Sequence, residues 1–302
     1  MSNQKIIIGS RGSDLALWQA NHIKAKLEAE GHTVEIKIIK TQGDIIQHLS
    51  FDKMEGKGFF TKELEKELLE GTIDLAVHSF KDLETNYPEG LTIGAVTDRA
   101  DHRDVLLIRK ENVDTSKKWE LKEGALIGTS SARRKVQLRR HRPDIDLDDI
   151  RGNVPTRVNK LRDGKFDAIV LAKAGLDRLE YDVSDLYVHV FDPTEFIPAP
   201  AQGALAVQIR EGDARIGEVV SKIHRQDIAE TTSIERKVLN LFHGGCQMPL
   251  GAYCEKRGET FELHAVMADD WRGEATSVTL SQNTADGFAE KAVEALKAQR
   301  VS

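Results

Sequence analysis

Two pieces of this chain echo two others, in the same order. IGSRGSDLALWQ at residues 8–19 matches IGTSSARRKVQL at 127–138, and GTIDLAVHSFKDL at 71–83 matches GKFDAIVLAKAGL at 164–176. The first pair reads as a strand, a Gly-Ser or Gly-Thr turn and a helix. The second reads as glycine, one further residue, isoleucine or phenylalanine, aspartate, and then a strand. Any single position matches weakly, but the shared order points to two similarly built α/β domains. Ligands of such sheets sit outside the carboxyl ends of the strands, so two facing domains would share a cleft lined by these turns.

The rest of the chain fits that frame. Strands are expected at residues 5–9, 33–39, 73–77, 91–96, 105–108, 125–128 and 168–171, and helices at 14–30, with Gly31 as its stop, and at 61–70. This alternation argues for mostly parallel sheets. TDRADHRD at 97–104 has only Ala100 as an apolar residue, and it reads as a crossover or hinge. PAPAQG at 198–203 reads as a second such stretch, followed by a strand at 204–209. From about Ser221 the pattern changes: a helix at 227–242, a loop at 243–249, strands at 251–255, 260–267 and 274–280, and a last helix at 284–298. Three domains are therefore expected: residues 1–98 with 200–219, residues 104–195, and a small α+β domain at 220–302. A chain of 302 residues is too long for one ordinary core, which agrees.

The chain carries a formal net charge of -6, yet GALIGTSSARRKVQLRRHRP at 124–143 has no acidic residue. A strand entering the Thr129-Ser130-Ser131 turn and then a helix points backbone N–H groups at one spot, where an anion is favoured. Arg133 and Arg134 beside that turn could grip carboxylate or phosphate; the alternative for either is a solvated basic helix face. Arg139, Arg140 and Arg142, farther along, are read as that face. Nucleic acid is excluded as a partner by the acidic total, by aromatics at 6% and by their absence from the arginine run. No window approaches the ~20 apolar residues of a membrane span, and the run in MSNQKIIIGS is too short for a signal peptide. Cys246 and Cys254 form no CxxC pair and have no zinc-like spacing, which fits a reducing cytoplasm and no metal.

Several residues could carry chemistry. Gly244-Gly245-Cys246-Gln247 puts one thiol on a loop with wide backbone freedom, either an exposed nucleophile or modified thiol or a structural one; Cys254, within an apparent strand, reads as a buried hydrophobe. His78-Ser79-Phe80-Lys81-Asp82 follows a buried strand. Cations near a carboxylate favour its charged form, so Asp82 would suit stabilising a developing cation; the alternative is a solvated turn. Arg11 and Ser13 flank the first strand-to-helix turn, and Arg151, Arg157 and Arg178 follow later strands. Together they imply a ligand with several negative charges. Lys57-Gly58-Phe59-Phe60 closes a polar segment and has the composition of a mobile lid.

IGSRGSDLALWQA, GKGFFTKELE, DLAVHSFKDL, GTSSARRKVQL, RGNVPTR, AGLDRL, AQGALAVQ and GGCQMPLG resemble, in register, the porphobilinogen deaminase (hydroxymethylbilane synthase) family from about Ile6 to Gly251. The resemblance implies two domains like the lobes of type 2 periplasmic binding proteins, and a third carrying a dipyrromethane cofactor through a thioether on Cys246. It implies a cytoplasmic, monomeric transferase that joins four porphobilinogen molecules into hydroxymethylbilane and releases ammonia at each step. By motif position Asp82 is the catalytic carboxylate beside the azafulvenium cation. Ser79, Lys81, Thr129, Ser131, Arg133 and Arg134 would hold the cofactor. Arg11, Ser13, Phe60, Arg151, Arg157 and Arg178 would meet porphobilinogen and the growing polypyrrole, with Lys57 and Gly58 in the lid. Each ring brings two carboxylates, which an arginine-lined cleft suits.

Three positions depart from the family pattern: Glu84 for a proline, Ala201 for a glycine, and Lys173, whose charge has no assigned role. The fold alone would also allow a two-lobed receptor for an anionic solute. That alternative predicts a signal peptide and gives Cys246 and Asp82 nothing to do.

Overall fold

The computed structural model describes residues 5–41, 61–245 and 247–301. The first part of the chain forms β1 (Ile6–Ser10), α1 (Asp14–Ala29), β2 (Val34–Ile38), α2 (Lys62–Leu69), β3 (Leu75–Ser79) and β4 (Leu91–Arg99). Then follow β5 (Asp104–Ile108), β6 (Leu126–Gly128), α3 (Ala132–His141), β7 (Asp146–Asp148), α4 (Val154–Arg162), β8 (Ala168–Ala172), α5 (Lys173–Arg178) and β9 (Tyr187–Val190). The chain ends with β10 (Ala204–Arg210), α6 (Ala214–Ser221), α7 (Gln226–Leu241), β11 (Leu250–Arg257), β12 (Thr260–Met267), β13 (Thr276–Gln282) and α8 (Phe288–Val301). Two compact units result, Met1–Ala100 with Gly203–Glu230, and Asp101–Gln202 with Thr231–Ser302.

Each unit holds a five-stranded sheet, in the orders β2-β1-β3-β10-β4 and β7-β6-β8-β5-β9. The two orders are the same arrangement. The first three strands of each pair in parallel, while the fourth, β10 or β5, runs antiparallel to both neighbours. β1 and β6 hold equivalent places, as do β3 and β8, which is the internal echo in structural form.

The echoed residues have matching jobs. Asp74 Oδ2 accepts from Ile7 N at 2.8 Å, and Asp167 Oδ2 accepts from Leu126 N at 2.8 Å, so each aspartate clamps the neighbouring strand. A Cβ on Gly9 would lie 2.3 Å from Ile73 Cδ1, and one on Gly128 would lie 2.9 Å from a ring carbon of Phe166. The glycine of one motif is therefore needed for the side chain of the other, and the two echoes are one contact made twice.

Both faces of each sheet are covered. In the first unit Ile6, Ile8 and Val207 of the sheet pack with Ile23 and Leu27 of α1 and with Ile216 and Val220 of α6, and Ile73 and Ala76 pack with Leu64 and Leu68 of α2. In the second, Leu106, Ile108, Ile127 and Leu138 share one core, and Val105, Leu107, Val158 and Ile169 another. All four core residues of β5, Val105 to Ile108, are fully buried, as a strand covered on both faces requires. Each such side chain contributes about 1.5–3 kcal/mol. A further core lies between β11–β12–β13 and the helices α7 and α8, with Cys254 in it as the sequence predicts.

Three local expectations change. Residues 97–99 complete β4 and Asp104 opens β5, with Thr97 and Asp104 both 0% exposed, so much of the charged stretch is sheet. The strand expected at 73–77 starts at Leu75, because Asp74 is the clamp. Helix α4 has no sequence-based counterpart, although Asn153 caps it (Thr156 N to Oδ1, 3.0 Å) and Pro155 sits in its first turn.

Candidate functional site

In the first unit the predicted residues collect at the carboxyl ends of β1 and β3, which are neighbours. Ser13 caps α1 by accepting from Ala16 N at 3.4 Å, which leaves its hydroxyl proton free to donate. Ser79 ends β3 and accepts from Gln19 Nε2 at 2.7 Å. Phe80–Asp82 is a single 3-10 turn, held at its two ends by the buried side chains of Phe80 and Leu83. Lys81 is half-buried and Asp82 is exposed on that anchored turn. Gln19, only 3% exposed, is a site-supporting residue that the sequence reading misses. The signal was there: it shares the buried stripe of α1 with Ile23 and Leu27.

Behind this turn runs a buried polar chain. Thr61 Oγ1 donates to Glu65 at 3.5 Å, Gln208 Nε2 donates to Glu65 Oε1 at 3.2 Å, and His78 Nε2 lies 3.1 Å from Gln208 Oε1. Burial, with Arg11 adding to it against the Gln208 hydrogen bond, pushes the His78 imidazole down from 6.5 to about 4. Burial raises the Glu65 carboxyl, and nearby Glu84 adds to that rise. A depressed histidine gives stability that is present above pH 6.5 and lost as the pH falls towards 4. At about 1.4 kcal/mol per pH unit, the His78 contribution is roughly 3 kcal/mol. The raised Glu65 carboxyl acts with the opposite sign. Comparing His78→Asn with the wild type isolates the histidine: between pH 6.5 and 4 the wild-type Tm should fall more steeply. Parallel Tm profiles would refute this.

In the second unit, β6 enters the Thr129–Ser131 turn and α3 begins at Ala132, as the sequence predicts. Thr129 is 1% exposed, and Ser131 N donates to Thr129 Oγ1 at 3.3 Å. Arg133 and Arg134 are not a solvated face; they are 4% and 6% exposed. Arg133 Nη1 donates to Asp104 Oδ2 at 2.7 Å and to the Ile197 carbonyl at 2.9 Å. Arg134 donates from Nη2 to Asp104 Oδ1 at 2.8 Å and from Nη1 to the Val170 carbonyl at 2.9 Å. Acids distant in sequence thus answer the basic run. Lys135 pairs with Asp149 at 2.6 Å, and its ammonium lies 4.5 Å from the ring centroid of Trp271. Arg142, read as solvated, is 5% exposed; it pairs with Asp144 and donates to the carbonyls of Lys118, Leu121 and Lys122. Only Arg139 and Arg140 of the run's arginines stay exposed.

The remaining arginines sit on later turns of the same unit. The Arg151 carbonyl accepts from Lys160 Nζ at 2.9 Å, and Arg157, inside α4, donates from Nε to the Gly152 carbonyl at 2.7 Å, so Arg151 lies in the loop that opens α4 and Arg157 on the helix behind it. Arg178 is buried at the end of α5, after β8. Lys173 pairs with Asp177 at 2.7 Å, which accounts for its charge. Ala201 holds φ at 59°, where glycine is more usual, with its N–H donated to Glu235 Oε2 at 2.7 Å. Lys57, Gly58, Phe60 and Cys246 lie outside the described residues. Of the described residues flanking Cys246, Met248 N donates to the Gly245 carbonyl at 3.0 Å.

Similarity to known proteins agrees with these motifs. A family model described as porphobilinogen deaminase, dipyromethane cofactor binding domain, matches residues 6–218. A porphobilinogen deaminase of a Nitratiruptor species is 49% identical over 247 residues, 82% of this chain and 77% of that protein. One from Campylobacter fetus is 43% identical over 263 residues, 87% of this chain and 84% of its own. Among solved structures, an ancestral cationic amino acid solute binding protein aligns at a TM-score of 0.43 and 14% identity, over 72% of this chain and 87% of its own.

Proposed function

The chain belongs to the porphobilinogen deaminase family, and from that premise we propose that it is a hydroxymethylbilane synthase, joining four porphobilinogen molecules into a linear tetrapyrrole with loss of ammonia. The observation that carries this reading is the family match over residues 6–218, which takes in both sheet units' site-bearing turns.

The residues present fit a dipyrromethane, a group bearing several carboxylates. Arg133 and Arg134 bring two positive charges to one buried carboxylate, and Arg134 Nε is buried without a hydrogen-bond partner among the described residues. The dipole at the start of α3 also favours an anion there. Cys246 would hold the cofactor covalently, and Ser79, Lys81, Thr129, Ser131, Arg133 and Arg134 would hold its carboxylates. When bound, the dipyrromethane supplies the pyrrole end from which the chain is extended.

The chain's own residues do the rest. Asp82, on its anchored turn, offers a carboxylate to the ring nitrogens of incoming porphobilinogen and stabilises the cation that forms as ammonia leaves. Arg11, Ser13, Arg151, Arg157 and Arg178 orient substrate and product carboxylates, with Phe60 at the site edge and Lys57 and Gly58 in a closing segment. Cytoplasmic residence and a monomeric state belong to the same reading. Among the described residues no helix is long and apolar enough to cross a membrane.

The direct test is intact mass together with turnover. Purified protein should exceed its sequence mass by two pyrrole units, colour with acidic aldehyde reagent, and consume porphobilinogen with release of ammonia. Protein at sequence mass that stays inert toward porphobilinogen would overturn the reading.

A further inference from the structure

Asp104 stands out by burial, charge and partners at once. It is 0% exposed at the first residue of β5. Its carboxylate takes three donors from two separate segments: from α3, Arg133 Nη1 at 2.7 Å on Oδ2 and Arg134 Nη2 at 2.8 Å on Oδ1, and from the 198–203 stretch, Gln202 Nε2 at 2.9 Å on Oδ1. Gln202 is also 0% exposed and donates to the His102 carbonyl at 2.8 Å, so it is itself fixed.

Each guanidinium is held at two points, one on Asp104 and one on a backbone carbonyl, Ile197 for Arg133 and Val170 for Arg134. Free arginine side chains carry large rotamer entropy, and a planar fork held at two points loses it before any ligand arrives. Burial alone would push the Asp104 carboxyl up, but the Arg133 and Arg134 guanidiniums beside it hold it well below the usual carboxylate range. A fully balanced buried pair would have no charge to offer a ligand, and two bare guanidiniums would be costly to desolvate. Two cations on one anion lie between these limits.

We propose that Asp104 is the positioning residue of the arginine pair: it fixes both guanidiniums in one orientation and leaves them a single net positive charge to meet a carboxylate of the dipyrromethane. Gln202 keeps the Asp104 carboxylate itself in place. The inference rests on the reading of Arg133 and Arg134 as cofactor-holding residues.

The test supplies preformed hydroxymethylbilane to apo forms of the full chain and reads the loaded fraction by intact mass, with Tm measured in parallel. Asp104→Asn keeps the shape and deletes the charge. Its loaded fraction should fall at least about tenfold, the scale of leaving a buried charge without its partner. Asp104→Glu keeps the charge but moves the carboxylate by one methylene, so loading should fall severalfold and stay above that of the Asn variant. Leu263→Ala, in the core of the three-stranded sheet, serves as a destabilised control that should load fully despite its lower Tm. Wild-type loading in Asp104→Asn overturns the proposal. If that variant does not fold, wild-type loading in Asp104→Glu overturns it instead. Loss of loading in Leu263→Ala to the same extent also overturns it, because loading would then follow stability alone. Failure of the functional reading is distinct: the wild type itself would take up no adduct.

Discussion

Cys246→Ser protein should fold and show an intact mass equal to its sequence mass. The argument starts from the nucleophile. At neutral pH a free cysteine is about a few per cent thiolate and highly nucleophilic, whereas a serine hydroxyl at the same place is not ionised and needs an adjacent base. The flanking residues are held by their own contacts: Met248 N donates to the Gly245 carbonyl at 3.0 Å, and a Cβ on Gly244 would lie 2.4 Å from Met248 Sδ. Without a covalent primer, turnover should drop at least about 10²-fold. Cys254 provides the control. It is 2% exposed within the core of β11–β13, so Cys254→Ser buries a hydroxyl at a cost of about 1–3 kcal/mol while keeping the adduct. A full adduct on Cys246→Ser, or one mapped to Cys254 in the wild type, would defeat the assignment.

The sequence announced the two-sheet plan because its signal was local and repeated. Gly9 with Ile73, and Gly128 with Phe166, are contacts between motifs that each read clearly alone. The turns after β1, β3 and β6 were equally legible, since glycine and hydroxyl residues mark where strands hand over to helices. What escaped was long-range pairing. Nothing near Asp104 in sequence shows that Arg133, 29 residues on, will share its carboxylate, and the charged flank of Asp104, with only Ala100 apolar, made it resemble a hinge. Arg142 escaped in part for the same reason: its acid, Asp144, is two residues on, but the three backbone carbonyls that bury it lie 20–24 residues away. A net-charge count along the chain cannot separate a cation waiting for a ligand from one already paired. Gln19 differs: its helical spacing put it on a buried stripe, and a polar residue on such a stripe signals a buried hydrogen bond, here to Ser79 at 2.7 Å.

Asp82→Asn should leave fold and cofactor loading intact and nearly abolish turnover. Asp82 is exposed, and its turn is fixed by the buried Phe80 and Leu83 on either side, so an isosteric amide changes no packing. The difficult species is the cation left on the substrate as ammonia departs. A carboxylate already in place stabilises that charge with no reorganisation at the moment of reaction, whereas an amide offers only a dipole. Removing one such positioned group costs about 10²–10³ in rate. The carboxylate-binding residues are elsewhere: Arg133 and Arg134 stay fixed on Asp104 whatever stands at residue 82. Apo Asp82→Asn given preformed hydroxymethylbilane should therefore gain the mass of the whole four-ring chain, less the water lost as the thioether forms, and then fail to extend or release it when porphobilinogen is added. The same treatment of Cys246→Ser should give neither mass nor turnover, so the pair separates attachment from catalysis. Near-normal turnover by Asp82→Asn would mean that the carboxylate on this turn is only solvated surface, and that the cation is stabilised by some other group.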